Sequence, residues 1–124
     1  MEKEEALKTV LMKLLHAIHS GDVDTYNKLA TEDLTCFEPE TYGNPVDGLA
    51  FHQFFIENSN QKGKYHLELI RPVIRIISDN VAYASYTLLI NRFEDSEFKI
   101  NSANETRIFK LISNEWKMIH FHRS

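Results

Sequence analysis

Two arginines, Arg107 and Arg123, stand in strand-like segments otherwise dominated by apolar residues. A buried guanidinium is costly unless it is paired, because its desolvation can exceed the Coulombic gain. Two readings are open. In one, both arginines are structural and are held by carboxylates such as Glu38 or Glu105. In the other, their planar forks face an anion pocket and hold a small carboxylate bidentately. Tyr26 carries a hydroxyl that needs a partner when buried, although packing under a sheet is the plainer role for it. His52 is a lone helical histidine, a type that usually sits at the surface or satisfied in the core. His120 and His122 alternate with Phe121 and so face one side of a strand. Two histidines ligate a metal only with a third ligand and an open position. The sequence supplies no third ligand for them, so neither a metal nor a cofactor is expected. His16, His19 and His66 belong to no motif. Cys36 reads as a small buried core residue, with no neighbouring group to activate it as a nucleophile.

These residues need elements to position them. Leu7, Val10, Leu11, Leu14, Leu15 and Ile18 recur at helical spacing and form one apolar face. Glu2, Glu4 and Glu5 favour the positive end of that helix, and Gly21 can end it. Asp22 is placed to cap a short second helix through about Ala30. Leu34 to Phe37 suggests a short strand, and Glu38 to Gly48 a structured loop. Asp47 is placed to cap a third helix, Leu49 to about Asn58, with Phe51, Phe54 and Phe55 as its apolar contacts. Asn58 to Lys64 reads as a turn. The rest alternates as four long strands in a meander: Tyr65–Ile77, Val81–Phe93, Phe98–Ile112 and Glu115–His122. Pro72 marks a bulge or an edge strand. Helices followed by antiparallel strands predict an α+β fold, with the helices on one face of a curved sheet.

The chain has 124 residues, the size of one ordinary domain spanning 1–124. Its formal net charge is −4, and no two Lys or Arg residues are adjacent. Nucleic acid is therefore not an expected partner, because phosphate binding needs clustered cations. The single cysteine allows no internal disulfide, which suits a reducing compartment. The start MEKEEALK has no apolar signal core, and no apolar run approaches the roughly 20 residues of a membrane helix. No membrane partner is expected, and the expected location is cytoplasmic.

The stretch TCFEPETYGNPVDGLAFHQFFIEN, together with Glu105–Thr106–Arg107, Trp116, the ending HFHRS and Gly21–Asp22 with Tyr26, resembles the association (hub) domain of calcium/calmodulin-dependent protein kinase II. The resemblance covers about Ala6 to Ser124. It implies a cone-shaped curved antiparallel sheet wrapped around a long N-terminal helix, as in the nuclear-transport-factor-2-like, cystatin-like, SnoaL-like superfamily. It also implies a homo-oligomer of twelve or more subunits in stacked rings, with a kinase domain, in the same chain or another, as partner. Its pocket positions fall on Arg107, Arg123, His52, Tyr26 and Glu38, which raises the small-carboxylate reading. No kinase motif is present, so the chain itself is not expected to be an enzyme. The alternative is a SnoaL-like isomerase or dehydratase, with Glu38, His52 and Tyr26 in an acid–base scheme.

Several features depart from the family pattern. Ser59–Lys64 is shorter than in animal hubs and lacks their tryptophan. The hairpin near Glu94–Lys99 is shorter and more acidic. A third pocket arginine would fall near Leu88 and is missing. The last strands nevertheless carry Phe93, Phe98, Ile108, Phe109, Leu111, Trp116, Met118, Ile119 and Phe121. Strand alternation sends some of these outward, as an interaction surface.

Overall fold

The apolar stripe of the first helix does what its spacing requires. In the computed structural model, which describes residues 2–58 and 63–124, helix α1 runs Glu2–Ser20. Leu7, Leu11, Leu14 and Leu15 are fully buried along it. Gly21, at φ 81°, ends α1 in the left-handed region that favours glycine. The Asp22 carboxylate then accepts a hydrogen bond from the Thr25 backbone N–H (3.1 Å) and caps α2, Val23–Leu29.

Strand β1, Ala30–Phe37, is longer than its apolar core suggested. A short 3-10 turn, Pro39–Thr41, follows, and then the two-residue strand β2, Val46–Asp47. Helix α3 covers Ala50–Asn58. Two expectations fail here. Asp47 does not cap α3; it pairs with Thr35 in the sheet, three residues ahead of the helix. The inward face of α3 is His52 and Ile56, while Phe54 is 71% exposed and Phe51 and Phe55 are half-buried. A pocket histidine thus takes the place a phenylalanine was given. Residues 59–62 of the expected turn, and the shortened loop they belong to, lie outside the described residues.

The meander forms as expected: β3 Lys64–Ser78, β4 Val81–Glu94, β5 Glu97–Ile112 and β6 Glu115–Arg123. The sheet order is β2-β1-β6-β5-β4-β3, with β1 parallel to β6 and the other pairs antiparallel. The β4–β5 and β5–β6 turns each place two residues at positive φ, Asp95–Ser96 and Ser113–Asn114. That is the hairpin geometry whose twist matches the strands. Pro72 sits in a register shift between Ile70 and Val73 on β3, which is also an edge strand. Proline removes a ladder donor, so both features follow from it.

One irregularity sets the interior. In β6, Phe109 of β5 opposes Met118, yet Ile108 opposes His120, so Ile119 is an extra residue. A bulge of this kind re-aims the side chains beyond it. Before it, Trp116 and Met118 are buried; after it, Phe121 is buried and Arg123 partly so. Were Ile119 paired as an ordinary ladder residue, strict alternation would send Arg123 outward.

The apolar residues of the last strands are mostly internal: Phe109, Trp116, Met118 and Phe121 are buried. The exposed apolar face lies on β3–β5 instead, where Ile70, Val73, Phe93, Phe98 and Ile100 are 37–71% exposed. The rings of Phe93 and Phe98 pack against each other across the β4–β5 hairpin, tilted by 53° with centroids 4.9 Å apart.

Leu14 tests the helix–sheet core. Truncation to alanine is expected to destabilise the fold by about 2–5 kcal/mol, the usual cost of deleting a buried leucine. Chemical unfolding of the native chain and Leu14→Ala measures this. An unchanged midpoint would contradict the burial of that face.

Candidate functional site: an internal cavity lined by paired charges

A cavity of about 170 Å³ opens between the end of α1, helices α2 and α3, the loop after β1, and the inner face of β5 and β6. Helix α1 supplies Ile18 and His19, α2 supplies Tyr26, and α3 supplies His52, Phe55 and Ile56. The loop supplies Glu38 and Glu40, and the sheet supplies Glu105, Arg107, Phe121 and Arg123. The five residues named from the sequence, Tyr26, Glu38, His52, Arg107 and Arg123, therefore line one space. His120 and His122 do not line it. The Thr35 hydroxyl lies 2.7 Å from His120 Nδ1, and His122 is exposed.

Sheet register builds the charged wall. Tyr86, Glu105 and Arg123 lie side by side across β4, β5 and β6, and Ala84, Arg107 and Phe121 form the next row. The small Ala84 leaves room beside Arg107. The Tyr86 hydroxyl donates to Glu105 Oε1 (2.6 Å), and Arg107 donates to the same oxygen through Nη2 (3.1 Å) and Nε (3.2 Å). Arg107 Nε also donates to the Tyr86 oxygen (3.0 Å), Nη1 donates to Met118 Sδ (3.1 Å), and Cζ lies 4.5 Å from the Phe121 ring centre. Arg107 is 2% exposed, and each of its three guanidinium nitrogens makes at least one contact. Burial is the largest single influence and works against its charge, but the Glu105 carboxylate together with Tyr86 and Tyr26 outweighs it and raises its pKa. Burial likewise pushes the Glu105 carboxyl up, and Arg107 with the Tyr86 hydroxyl more than reverses it, so Glu105 is held below its ordinary value.

Arg123 is different. Its side chain is 31% exposed. Its Nη1 donates to both oxygens of Glu40, with Oε2 at 2.7 Å, and its Nε lies 3.6 Å from Glu105 Oε2. Of the two carboxylate partners offered by the sequence, Glu105 does hold the arginines. Glu38 does not; its Oε2 lies 3.5 Å from His52 Nε2. Two wall atoms, Tyr26 Oη and His52 Nδ1, are buried with no hydrogen-bond partner among the described residues. Tyr26 is 1% exposed, and burial raises its pKa. It stays neutral, as a buried hydroxyl of a residue in the cavity wall. Leu88, where a third arginine was sought, is 2% exposed in the core and is not among the cavity's lining residues.

Sequence reasoning missed His19 and Glu40. Glu40 carried a signal, since it stands two residues after Glu38 in the same loop. The backbone N–H groups of Thr41 and Gly43 both donate to the Glu38 carbonyl (3.1 Å each), which tightens that loop against the sheet. His19 carried none. It lies one residue beyond the periodic stripe and reaches the cavity only because α1 ends there.

His19 makes stability depend on pH. Burial lowers its pKa from 6.5 to about 4, with Glu105 opposing and Arg92, Arg107 and Arg123 adding to the effect. The unfolded chain therefore takes up this proton near pH 6.5, and the folded chain takes it up only near pH 4. Stability is complete above pH 6.5 and falls as the pH drops toward 4, by at most about 3 kcal/mol from this residue. Denaturant unfolding across that window is expected to show the fall in the native chain and a shallower one in His19→Gln. Parallel curves would contradict it.

Comparison with known proteins matches this architecture. A sequence model of the calcium/calmodulin dependent protein kinase II association domain matches residues 2–124. The delta subunit of calcium/calmodulin-dependent protein kinase type II from Oryctolagus cuniculus is 34% identical over 125 residues, 98% of this chain. The chain spans only 23% of that relative's length. The solved association domain of the C. elegans kinase has a TM-score of 0.88 and 32% identity, covering 100% of this chain and 99% of that one. An NTF2-like protein with a cystatin-like fold from Novosphingobium aromaticivorans, 14% identical with a TM-score of 0.80 over 98% of this chain and 80% of its own, shares the fold. None of the helices in the described residues is long and apolar enough to cross a membrane. The matched family is that of the association domain, not of a kinase catalytic domain, and the chain carries no kinase motif. The chain belongs to the calcium/calmodulin-dependent protein kinase II association domain family.

Proposed function

We propose that this chain is a single cytoplasmic homo-oligomerisation hub, assembling as two stacked rings of six or seven subunits each. It gathers whatever is joined to it, a kinase domain in the same chain or a separate one. The observation that carries this reading is the association-domain match over residues 2–124. The surface supports it. Phe98 is 71% exposed and Ile100 64%, side by side on the outer sheet face with Phe93. Apolar surface of this kind is stabilised when a partner covers it, and a ring needs a contact that closes on itself. Native mass spectrometry of the purified chain is expected to show assemblies of twelve or more subunits. A stable monomer or dimer at micromolar concentration would overturn the proposal.

The cavity serves, in this reading, as a site for a small carboxylate. Arg107 is buried and turns its Nε and Nη2 to Glu105, so it acts by fixing that carboxylate. Arg123 is the arginine able to turn from Glu40 to a ligand, with the Tyr26 hydroxyl and His52 as the other polar contacts. Three carboxylates, Glu38, Glu40 and Glu105, already line the cavity against two arginines. Binding is therefore weak. Calorimetry with short-chain carboxylic acids is expected to show it, and Arg123→Gln to weaken it by about 1.5–3 kcal/mol, the range for a charged hydrogen bond. Affinity unchanged by that substitution would exclude the site, and no binding by any acid would leave the arginines with a structural role only.

A further inference from the structure

Beside the cavity wall formed by Glu38 and His52, the buried Cys36 completes a set of three ligand types. Cys36 and Glu38 stand two residues apart at the end of β1, and His52 faces them from α3. All three are buried. Cys36 Sγ lies 3.5 Å from His52 Nε2, and that same nitrogen lies 3.5 Å from Glu38 Oε2. The Cys36 sulfur, the histidine nitrogen and the carboxylate oxygen all lie within 4.8 Å of one another.

The nitrogen–oxygen distance is long for a hydrogen bond, which for these atoms falls at about 2.7–3.2 Å. It suits a shared cation better. A tetrahedral zinc with sulfur at about 2.3 Å and nitrogen and oxygen at about 2.0–2.1 Å holds sulfur and nitrogen about 3.5 Å apart, and nitrogen and oxygen about 3.4 Å apart. The observed separations are 3.5 Å in both cases. Only the sulfur–oxygen pair has to close, by rotation of the Glu38 side chain. His52 is 6% exposed, and its Nε2 is the ring nitrogen that meets both other ligand atoms.

We propose that Cys36, Glu38 and His52 form a binding site for a divalent transition metal of the zinc type, with the fourth position open to the cavity. A thiolate, an imidazole and a carboxylate together suit zinc rather than a hard cation such as magnesium or calcium. Charge supports the choice. Glu38, Glu40 and Glu105 face Arg107 and Arg123, which leaves one negative charge with the histidines neutral. A divalent ion that displaces the Cys36 proton to solvent brings the sum to zero. A zinc-bound cysteine is a thiolate, so the ion takes the place of the thiol proton beside His52 Nε2. Metal binding and loss of that proton are then one event.

The test uses the whole chain, stripped with a chelator and titrated with zinc against a chromophoric competitor, then with cobalt(II) as a spectroscopic probe in carboxylate-free buffer. One zinc per chain is expected, with a thiolate-to-cobalt charge-transfer band and the strong visible bands of tetrahedral cobalt. Cys36→Ser is expected to abolish the charge-transfer band and to weaken zinc binding by more than about a hundredfold, beyond what an outer-layer contact supplies. His66→Gln, which removes the exposed His66–Glu68 pair, is expected to change neither. The cobalt spectrum of the native chain reads the thiolate directly, so the result does not depend on how Cys36→Ser folds. Substoichiometric uptake, a cobalt spectrum lacking the thiolate band, or uptake lost in His66→Gln but kept in Cys36→Ser would each overturn the site. Oligomeric state and carboxylate binding are separate readouts, so failure here leaves those readings untouched.

Discussion

The buried pair of Glu105 and Arg107 is the constraint around which the interior is arranged. Each is about 2–3% exposed, and neither can keep its charge there alone. Desolvation of two ions outweighs their attraction unless the remaining lone pairs and protons are also satisfied. The sheet meets that condition through register. Tyr86 arrives from β4 to donate to Glu105, and Arg123 arrives from β6 on its other side. Phe121 and Met118 cover what is left of the guanidinium. Each partner is cross-strand or two residues away, so a slip of one residue would expose the whole set.

From that constraint follows a division of the sheet. Its inner face carries the polar row of Tyr86, Glu105 and Arg123 beside the apolar core, and a small cavity lies over that row. Its outer face on β3–β5 carries apolar side chains that stay 37–71% exposed. A molecule that keeps charge inside and apolar surface outside gains stability by covering the outside, which is the physical sense of an association domain. Arg123 stands between the two regimes. It is close enough to Glu105 to share its field, yet its fork rests on Glu40 at the cavity edge.

Much of this was legible in the residues. The stripe from Leu7 to Ile18, the capping Asp22 and the four-strand meander follow from periodicity and turn chemistry, which are local. Arg107 and Arg123 drew notice because cations in apolar strands need a reason. The cavity's details were not local. Ile119 looks like any strand isoleucine, and only its lack of a partner on β5 makes it the bulge that turns Arg123 inward. His52 was one helical residue among phenylalanines, and rotation of α3 against the sheet decides that it, not Phe54, faces in. Asp47 had the chemistry of a cap but is used by β2. The Cys36–Glu38–His52 corner joins a strand end to a helix across a long loop, and residue type alone gives no sign of that meeting.

A double-mutant cycle on the central pair is the most direct measurement. Glu105→Gln and Arg107→Met, alone and together, would be compared by chemical unfolding in a single buffer near pH 7. Each single change strands one buried charge and is expected to cost about 3–5 kcal/mol. The double change strands neither, so its cost should fall below the sum of the singles by more than about 1 kcal/mol. Small single effects, or costs that simply add, would mean that the interior does not depend on this pair.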